Sequence, residues 1–270
     1  MELELAGRTA LVTGGSSGFG RAVALRLATE GAHVALVARG EANLRAAADE
    51  VARAGATARG TGAGRVLPLA ADVTDDAAMT AAVAQATRDL GPIDLLLVNA
   101  GGPPAGNFAD LDLAAWEAAY RLTIESAVRL CRLVAPGMME RRRGRIVCIT
   151  SVSVRQPVEN LMLSSVLRPA VQALVRTLAL EAAPFGVTVN AVAPGFHLTS
   201  AVERLITRKQ EQTGATREEV LAGWTREIPL GRLGQADELA ALIVFLMSGP
   251  AGYITGQSIT SDGGWVRGTF

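Results

Sequence analysis

The stretch TGGSSGFG, residues 13–20, joins a short apolar run to an Ala- and Leu-rich segment. The run before it, TALVTG at 9–14, predicts a β-strand, and GRAVALRLATEG at 20–31 has the periodicity of an α-helix. Glycines let the backbone bend sharply and approach a ligand, and the start of a helix offers unpaired N–H groups to a phosphate. The stretch therefore predicts a strand–turn–helix unit that binds a nucleotide phosphate, with a plain structural turn as the alternative.

The same alternation of apolar runs and helical stretches continues along the chain. The further strand candidates are HVALVA at 33–38, VLPLAA at 66–71, IDLLLVN at 93–99, RIVCIT at 145–150, VTVNAVA at 187–193 and SITSD at 258–262. Most of them are apolar throughout, as expected of strands that are covered on both faces. We therefore predict an α/β fold, in which residues 1–270 form a single-domain, doubly wound (Rossmann) parallel sheet of about seven strands with helices on both faces.

The composition excludes several classes of protein. The chain has 270 residues, 49% of them hydrophobic, and a formal net charge of zero, which is typical of a soluble globular protein with no nucleic-acid or membrane partner. The acidic N-terminus does not resemble a signal peptide, and the longest apolar run, at 239–247, is too short to span a bilayer. The only cysteines, Cys131 and Cys148, predict neither a disulfide framework nor a metal site, and they favour a cytoplasmic location.

One segment, 196–225, interrupts the alternation and carries mixed charge. It follows a predicted strand, at the edge of the sheet where such folds bind ligands. We predict a mobile helical lid over the substrate there, and disorder without ligand is the alternative. The apolar lid residues Phe196, Leu198, Leu205 and Ile206 indicate a fairly apolar substrate pocket.

The end of the second strand indicates which dinucleotide binds. A carboxylate at this position would hold the ribose hydroxyls of NAD, but the chain has Ala38 and Arg39 there. An arginine is a planar, permanently charged fork that suits a 2′-phosphate. NADP(H) is therefore predicted, with NADPH favoured over NADH, and an exposed arginine that merely begins a helix is the alternative.

Several motifs together resemble the short-chain dehydrogenase/reductase family, over essentially the whole chain. They are Thr13-Gly14, Gly18 and Gly20 of a TGxxxGxG turn, the pair Asp72-Val73, VNAG at 98–101, APG at 193–195 with Thr199, and 231–264, which is similar to 3-oxoacyl-acyl-carrier-protein reductases. The resemblance implies a dinucleotide along the carboxyl edge of the sheet, and a homotetramer (or dimer) built on two long helices and the C-terminal strand. It assigns cofactor contacts to Gly14, Ser17, Gly18, Phe19, Arg39, Asp72, Val73, Asn99, Ala100, Gly101, Pro194, Gly195 and Thr199.

The catalytic set that the resemblance implies is altered at three of its four positions. Members of this family use Asn, Ser, Tyr and Lys, and Ser151 matches the serine that orients the substrate carbonyl. In the same register, Ser164 takes the position of the tyrosine and Arg168 that of the lysine. Thr123 takes the position of the asparagine. The predicted catalytic residues are therefore Ser151, Ser164, Arg168 and Thr123.

These replacements change the expected chemistry. A serine hydroxyl is a much weaker acid than a phenol of pKa ~10, so Ser164 is a poor proton source. Loss of a general acid usually costs about 10²–10⁴ in rate. Arg168 keeps the positive charge and can still bind the nicotinamide ribose hydroxyls, but it does not easily lose a proton. His197 and Glu159 are other candidate acids, with an incidental exposed imidazole and a helix-start carboxylate as their ordinary alternatives.

Three functions follow from this combination. The first is an NADP(H)-binding oxidoreductase that acts on a small-molecule carbonyl or alcohol, similar to 3-oxoacyl reductases but with an atypical catalytic set. The second is a weakly active or inactive dinucleotide-binding sensor or regulatory subunit. The third is a non-redox enzyme, such as a lyase or isomerase, on the same scaffold. The intact cofactor motifs favour the first.

Overall fold

The computed structural model describes residues 1–269, and its main strands agree with the predicted runs to within a residue at every end. The strands are β1 (Thr9–Thr13), β2 (His33–Ala38), β3 (Val66–Ala70), β4 (Ile93–Val98), β5 (Gly144–Ile149), β6 (Val187–Pro194), β7 (His197–Leu198), β8 (Gly234–Gln235) and β9 (Ser258–Ser261). The helices are α1 (Gly18–Thr29), α2 (Glu41–Arg59), α3 (Asp76–Leu90), α4 (Leu113–Tyr120), α5 (Ser126–Glu140), α6 (Met162–Ala182), α7 (Ser200–Thr213), α8 (Arg217–Thr225) and α9 (Ala236–Leu246).

Seven strands form one sheet in the order β3–β2–β1–β4–β5–β6–β9. Every pairing in it is parallel, which confirms the predicted doubly wound sheet. The chain order reverses between β1 and β4, and such a switch point opens a crevice at the carboxyl ends of the strands. None of the helices within residues 1–269 is long and apolar enough to cross a membrane.

Each face of the sheet has its own apolar core. Successive strand residues point to opposite faces, so Leu11 and Leu96 lie in one core while Val12 and Leu97 lie in the other. Helices α3, α5 and α6 cover the first core, and α1, α2 and α9 cover the second. This double cover explains why the inner strands are mostly apolar.

The Gly- and Ala-rich composition of residues 54–65 predicts a loop. This prediction is wrong in its first half, because α2 continues to Arg59. Alanine is the best helix former, and the stretch is rich in it. Gly55 lies against α1, where an added Cβ would be 3.2 Å from the Ala28 carbonyl oxygen. The glycine therefore costs some helix propensity but allows α1 and α2 to pack closely.

A π turn, Arg121–Glu125, interrupts the long helix formed by α4 and α5. Such turns are rare and often lie at functional sites. Thr123 is buried at the centre of this one, and Ile124 packs against Leu163 and Leu167 of α6. The π turn, which contains Thr123, therefore packs against α6, the helix that carries Ser164 and Arg168.

The predicted lid segment is helical, since it contains α7 and α8, while its mobility stays a prediction. Phe196 stacks on Trp224 with ring centroids 5.5 Å apart and meets Trp265 edge-on at 5.3 Å. The Trp265 indole donates to Glu227 Oε2 at 3.0 Å. The C-terminal tail therefore contacts the segment 196–225 through an aromatic cluster of Phe196, Trp224 and Trp265.

Candidate active site at the carboxyl edge of the sheet

The glycine turn between β1 and α1 is fixed to the end of β4. Asn99 donates from its backbone N to Thr13 Oγ1 at 2.9 Å and from Nδ2 to the Thr13 carbonyl at 3.2 Å. Gly14 has a φ of +62°, and a Cβ there would lie 2.5 Å from Asn99 Nδ2, so only glycine fits. Three residues of two predicted motifs thus meet at one point of the sheet edge.

Helix α1 begins without a side-chain cap. Ser17 is its N-cap residue and has an extended backbone, but the Ser17 side chain accepts no capping hydrogen bond, and the first turn has no acidic residue. The first N–H groups of a helix need acceptors from outside the helix. Their partial positive charge favours an anion at this position.

A cleft of about 560 Å³ runs along the carboxyl edge of the sheet from this turn. All but one of the predicted cofactor residues line it, namely Gly14, Ser17, Gly18, Phe19, Arg39, Asp72, Val73, Asn99, Ala100, Gly101, Arg168, Pro194 and Thr199. The exception is Gly195, which packs on Asp262 and donates to the Ser261 carbonyl at 2.9 Å. Ser16, Asn43, Leu122 and Thr150 also line the cleft and lie outside the residues we predicted.

The cleft fits a dinucleotide. Cβ atoms added at Gly101 and Gly102 would meet nothing within 4 Å, so glycine leaves open space there rather than room for packed protein. The uncapped start of α1 offers N–H donors for a pyrophosphate in the same cleft. The residues present therefore match a ligand with a diphosphate at its centre.

Arg39 and Asp72 stand together at the β2 end of the cleft. The Arg39 side chain is 79% exposed, and its Nη1 lies 3.8 Å from Asp72 Oδ2. Burial raises the pKa of Asp72, but hydrogen bonds from Thr74 and the charge of Arg39 hold this pKa below its ordinary value. Arg39 is so exposed, and so weakly held, that its guanidinium is available to an incoming anion.

Ser151 begins a short turn after β5. Its Oγ accepts from the Ser153 backbone N at 3.2 Å, which leaves the Ser151 hydroxyl hydrogen free to donate elsewhere. Ser164 Oγ lies 3.0 Å from Ser153 Oγ, and both of these hydroxyls are buried. Ser153 was not predicted as a site residue, although it belongs to the same SVS motif as Ser151. The structure brings Ser151 and Ser164 together through it.

The predicted catalytic residues differ in their access to the cleft. Arg168 lines it, together with Ile149 and Thr150, whereas Ser151 and Ser164 are not among its lining residues. Thr123 is buried away from it, and its Oγ1 has no hydrogen-bond partner among residues 1–269. The hydroxyl groups of Ser151, Ser164 and Thr123 therefore lie outside the cleft that Arg168 lines.

Arg168 carries a positive charge that no carboxylate balances in the part of the chain that the structure describes. Its Nη1 donates to the Ile149 carbonyl at 2.9 Å. Burial lowers the pKa of Arg168 to about 10, and no acidic neighbour acts in the opposite direction. The guanidinium is still protonated at neutral pH, and it is partly buried where it lines the cleft.

His197 is buried, so an exposed imidazole at this position is wrong. The chain turns inward after Pro194, which brings the ring edge-on to Phe19 at 5.4 Å between centroids and Nδ1 to 3.2 Å from the Gly195 carbonyl. His197 does not line the cleft. Its role is to pack the loop that follows β6 against the glycine turn. Glu159, by contrast, is exposed before α6 begins.

Acid should destabilise the protein through its histidines. Burial lowers the pKa of His197, and burial with the charge of Arg65 lowers that of His33, whose Nδ1 accepts from Arg65 N at 2.9 Å. Each group binds protons more readily when unfolded, so its stabilising contribution is complete above pH ~6.5 and is lost below it. We expect the free energy of unfolding in urea to fall between about pH 7 and pH 5.

The substitution His197→Asn should flatten this fall, and adding His33→Asn should flatten it further. Urea titrations at several pH values measure the slope directly. An unchanged slope in the double variant would assign the pH dependence to carboxylates instead.

Comparisons with known proteins agree with this geometry. The family pattern described as Enoyl-(Acyl carrier protein) reductase matches residues 14–266. The short-chain reductase protein NovJ of Streptomyces niveus is 35% identical over 94% of this chain and 92% of its own.

Two solved structures are also similar. L-sorbose reductase of Gluconobacter frateurii, complexed with NADPH and L-sorbose, superposes with a TM-score of 0.93 at 31% identity, covering 99% of this chain and 100% of that one. An NADPH-bound short-chain oxidoreductase of Pseudomonas aeruginosa PAO1, which contains an atypical catalytic centre, has a TM-score of 0.86 at 33% identity, covering 97% and 98%. By pattern, sequence and fold, the chain belongs to the short-chain dehydrogenase/reductase family.

Proposed function

We propose that this protein transfers a hydride between NADP(H) and a small-molecule carbonyl or alcohol, with Ser151 and Arg168 at the reacting end of the cleft. It is an oxidoreductase of the CH–OH/C=O class. The observation that carries the proposal is the cleft itself, because an uncapped helix start, Arg39 and Arg168 line one continuous space. The 2′-phosphate would find a donor at Arg39, the pyrophosphate at the start of α1 and the nicotinamide ribose at Arg168, in that order along the sheet edge.

NADP(H) is the cofactor that these residues favour. Arg39 stands at the tip of β2, where an NAD-binding chain needs a carboxylate. Both related structures described above were solved with NADPH, in agreement with the prediction from Arg39. When bound, NADPH supplies the hydride, and the protein supplies position and charge.

Ser151 donates its free hydroxyl hydrogen to the substrate oxygen. One lone pair of its oxygen accepts the hydrogen bond from Ser153 N–H, which holds the Ser151 side chain in place while its O–H donates. Ser164 acts as a positioning residue, because its hydroxyl bonds that of Ser153 and so supports the turn that carries Ser151. Ser164 thus supports the position of Ser151 and does not itself donate a proton to the substrate. Arg168 binds the nicotinamide ribose hydroxyls with the N–H groups that the Ile149 carbonyl leaves free.

Thr123 keeps a proposed catalytic role. A buried hydroxyl without a partner is costly, so its retention calls for an explanation. Its place in a π turn against α6 supports a function in holding a polar atom of the bound substrate or a water beside it.

The substrate class rests on the lid. Phe196 and Ile206 are at least partly buried within it, which supports a substrate with an apolar part, as in 3-oxoacyl thioesters. The cytoplasmic location stays a prediction.

A homotetramer or dimer is proposed on two surfaces. Leu113 and Tyr120 of α4 and Leu180 of α6 are exposed apolar side chains on long helices. In the described sheet, β9 pairs only with β6, so its other edge is open to a second copy of the chain.

A weakly active dinucleotide-binding protein is the second candidate function. The observation that favours it concerns Ser164, whose hydroxyl bonds that of Ser153. No tyrosine is among the described residues that line the cleft, so a phenol is not available there as a proton donor. NADPH fluorescence on mixing measures binding, and loss of nicotinamide absorbance with 3-oxoacyl thioesters, quinones and cyclic ketones measures turnover. Binding without turnover across the panel would favour this second candidate.

We expect turnover with at least one member of the panel, and a loss of about 10² in kcat/KM for Ser151→Ala, the cost of removing one donor to a developing oxyanion. NADPH affinity should not change, because Ser151 lies outside the cofactor cleft. Ser165→Ala is the matched control on α6 and should retain activity. Equal activity of Ser151→Ala and wild type would remove Ser151 from the mechanism.

A further inference from the structure

We propose that Arg168 is a catalytic residue in its own right, and that it forms with Ser151 a two-donor site for the negative charge that develops on the substrate oxygen. The inference rests on the proposed function and deepens it. It gives Arg168 a role beyond binding ribose, and it explains how the reaction proceeds without a phenolic acid.

The position of Arg168 relative to Ser151 supports a two-donor site. Arg168 Nη1 is bonded to the carbonyl of Ile149, the last residue of β5, and Ser151 follows two positions later. Two residues of extended chain span about 6.5 Å. An oxygen atom between the two groups is therefore within reach of the Ser151 hydroxyl and of the guanidinium N–H groups that point away from Ile149.

The positive charge of Arg168 also supports a role in stabilising an oxyanion. Among the side chains that the structure describes, two cationic ones line the cleft, those of Arg39 and Arg168. Arg39 is exposed and has Asp72 beside it, whereas Arg168 is partly buried and has no acidic partner among the described side chains. An unbalanced cation in a partly buried place stabilises a nearby anion more than it would in water. Arg168 is therefore the group with most to gain from an oxyanion.

Ser164, at the position of the family's tyrosine, supports the same role for Arg168. Ser164 is buried, and its hydroxyl bonds Ser153, so it leaves the space in front of Arg168 unfilled by a phenol ring. A side chain that a tyrosine would separate from the substrate is then directly accessible to it. The two replacements are consistent as a pair, because a permanent charge takes over from an acid.

The step balances without an acid from the protein. As the carbonyl carbon accepts the hydride, the π electron pair of the C=O bond moves onto oxygen. Ser151 and Arg168 hold the resulting alkoxide by hydrogen bonds. The alkoxide then takes a proton from water, which leaves hydroxide, and Arg168 keeps its own protons throughout.

The test separates the oxyanion role from the ribose role. In Arg168→Gln we expect kcat at saturating NADPH to fall by about 10²–10³, while the NADPH dissociation constant, measured by fluorescence titration, rises less than about tenfold. A ribose role alone predicts the reverse, with weaker NADPH binding and an unchanged kcat. Arg176→Gln, the same change two turns along α6 at an exposed arginine, is the matched control.

Two further measurements do not depend on how the Gln variant folds. Acetate, a small carboxylate, should bind to the wild-type complex with NADP⁺ by calorimetry, and it should bind at least about tenfold more weakly to Arg168→Lys, whose point charge lacks the fork. Millimolar guanidinium should restore activity to Arg168→Ala.

The outcomes are decisive in combination. No acetate binding to the wild-type complex, or a kcat in Arg168→Gln equal to that of wild type, would overturn the inference while the proposed function stands. No NADPH binding by the wild-type protein would overturn the proposed function first.

Discussion

The substitution Gly20→Ala should lower NADPH affinity by at least about 100-fold and reduce the free energy of unfolding by about 1–3 kcal/mol. A Cβ at position 20 would lie 2.2 Å from the Gly14 carbonyl oxygen and 2.7 Å from its carbon. Both are backbone atoms, so no side chain can move aside. The turn must open, and the N–H groups at the start of α1 then separate from the end of β4.

Gly223→Ala is the matched control for this prediction. Gly223 lies in α8, and an added Cβ would meet nothing within 4 Å there. The change should be neutral or stabilising by up to about 1 kcal/mol, as for an exposed helix position. Fluorescence titration with NADPH and urea unfolding measure the two effects. Wild-type affinity in Gly20→Ala would show that the phosphate does not depend on this close contact.

Burial explains why most of the fold could be predicted from the sequence. The five inner strands β2, β1, β4, β5 and β6 are almost wholly buried, so burial accounts for their largely apolar composition and for the agreement of their predicted ends. The error in α2 arose because glycine signals a loop locally, while Gly55 serves the packing of α1 on α2. Such a role depends on a neighbour distant in sequence, and no local pattern contains it.

The candidate site divides in the same way. Residues in glycine and strand-end motifs, such as Gly18, Asn99 and Thr199, line the cleft, and their contacts with the cofactor stay a prediction. Features made by packing were beyond the sequence, among them the π turn at Thr123 and the burial of His197. The partner of Ser164 was missed as well, because a hydrogen bond between two serines eleven positions apart needs the whole β5–α6 connection to form.

The substitution Arg39→Asp should reverse the preference for the dinucleotide. We expect the NADPH dissociation constant to rise by about 10²–10³, because one or two charge-assisted hydrogen bonds to the 2′-phosphate are lost and a second carboxylate joins Asp72 in repelling it. NADH affinity should be unchanged or improved, since a carboxylate at a strand tip can accept hydrogen bonds from both ribose hydroxyls.

The control for this change is Arg45→Asp on α2. Arg45 is also exposed and also paired with a carboxylate, Glu41, but it does not line the cleft. Arg45→Asp therefore changes the net charge by the same amount as Arg39→Asp, and it leaves the residues that line the cleft unchanged. Parallel titrations of the three proteins with NADPH and NADH, at two salt concentrations, separate a local contact from a general charge effect, because salt screens only the latter strongly. If Arg39→Asp kept its NADPH affinity, the 2′-phosphate would have to lie elsewhere, and Asn43, a further polar side chain at this end of the cleft, would be the residue to change next.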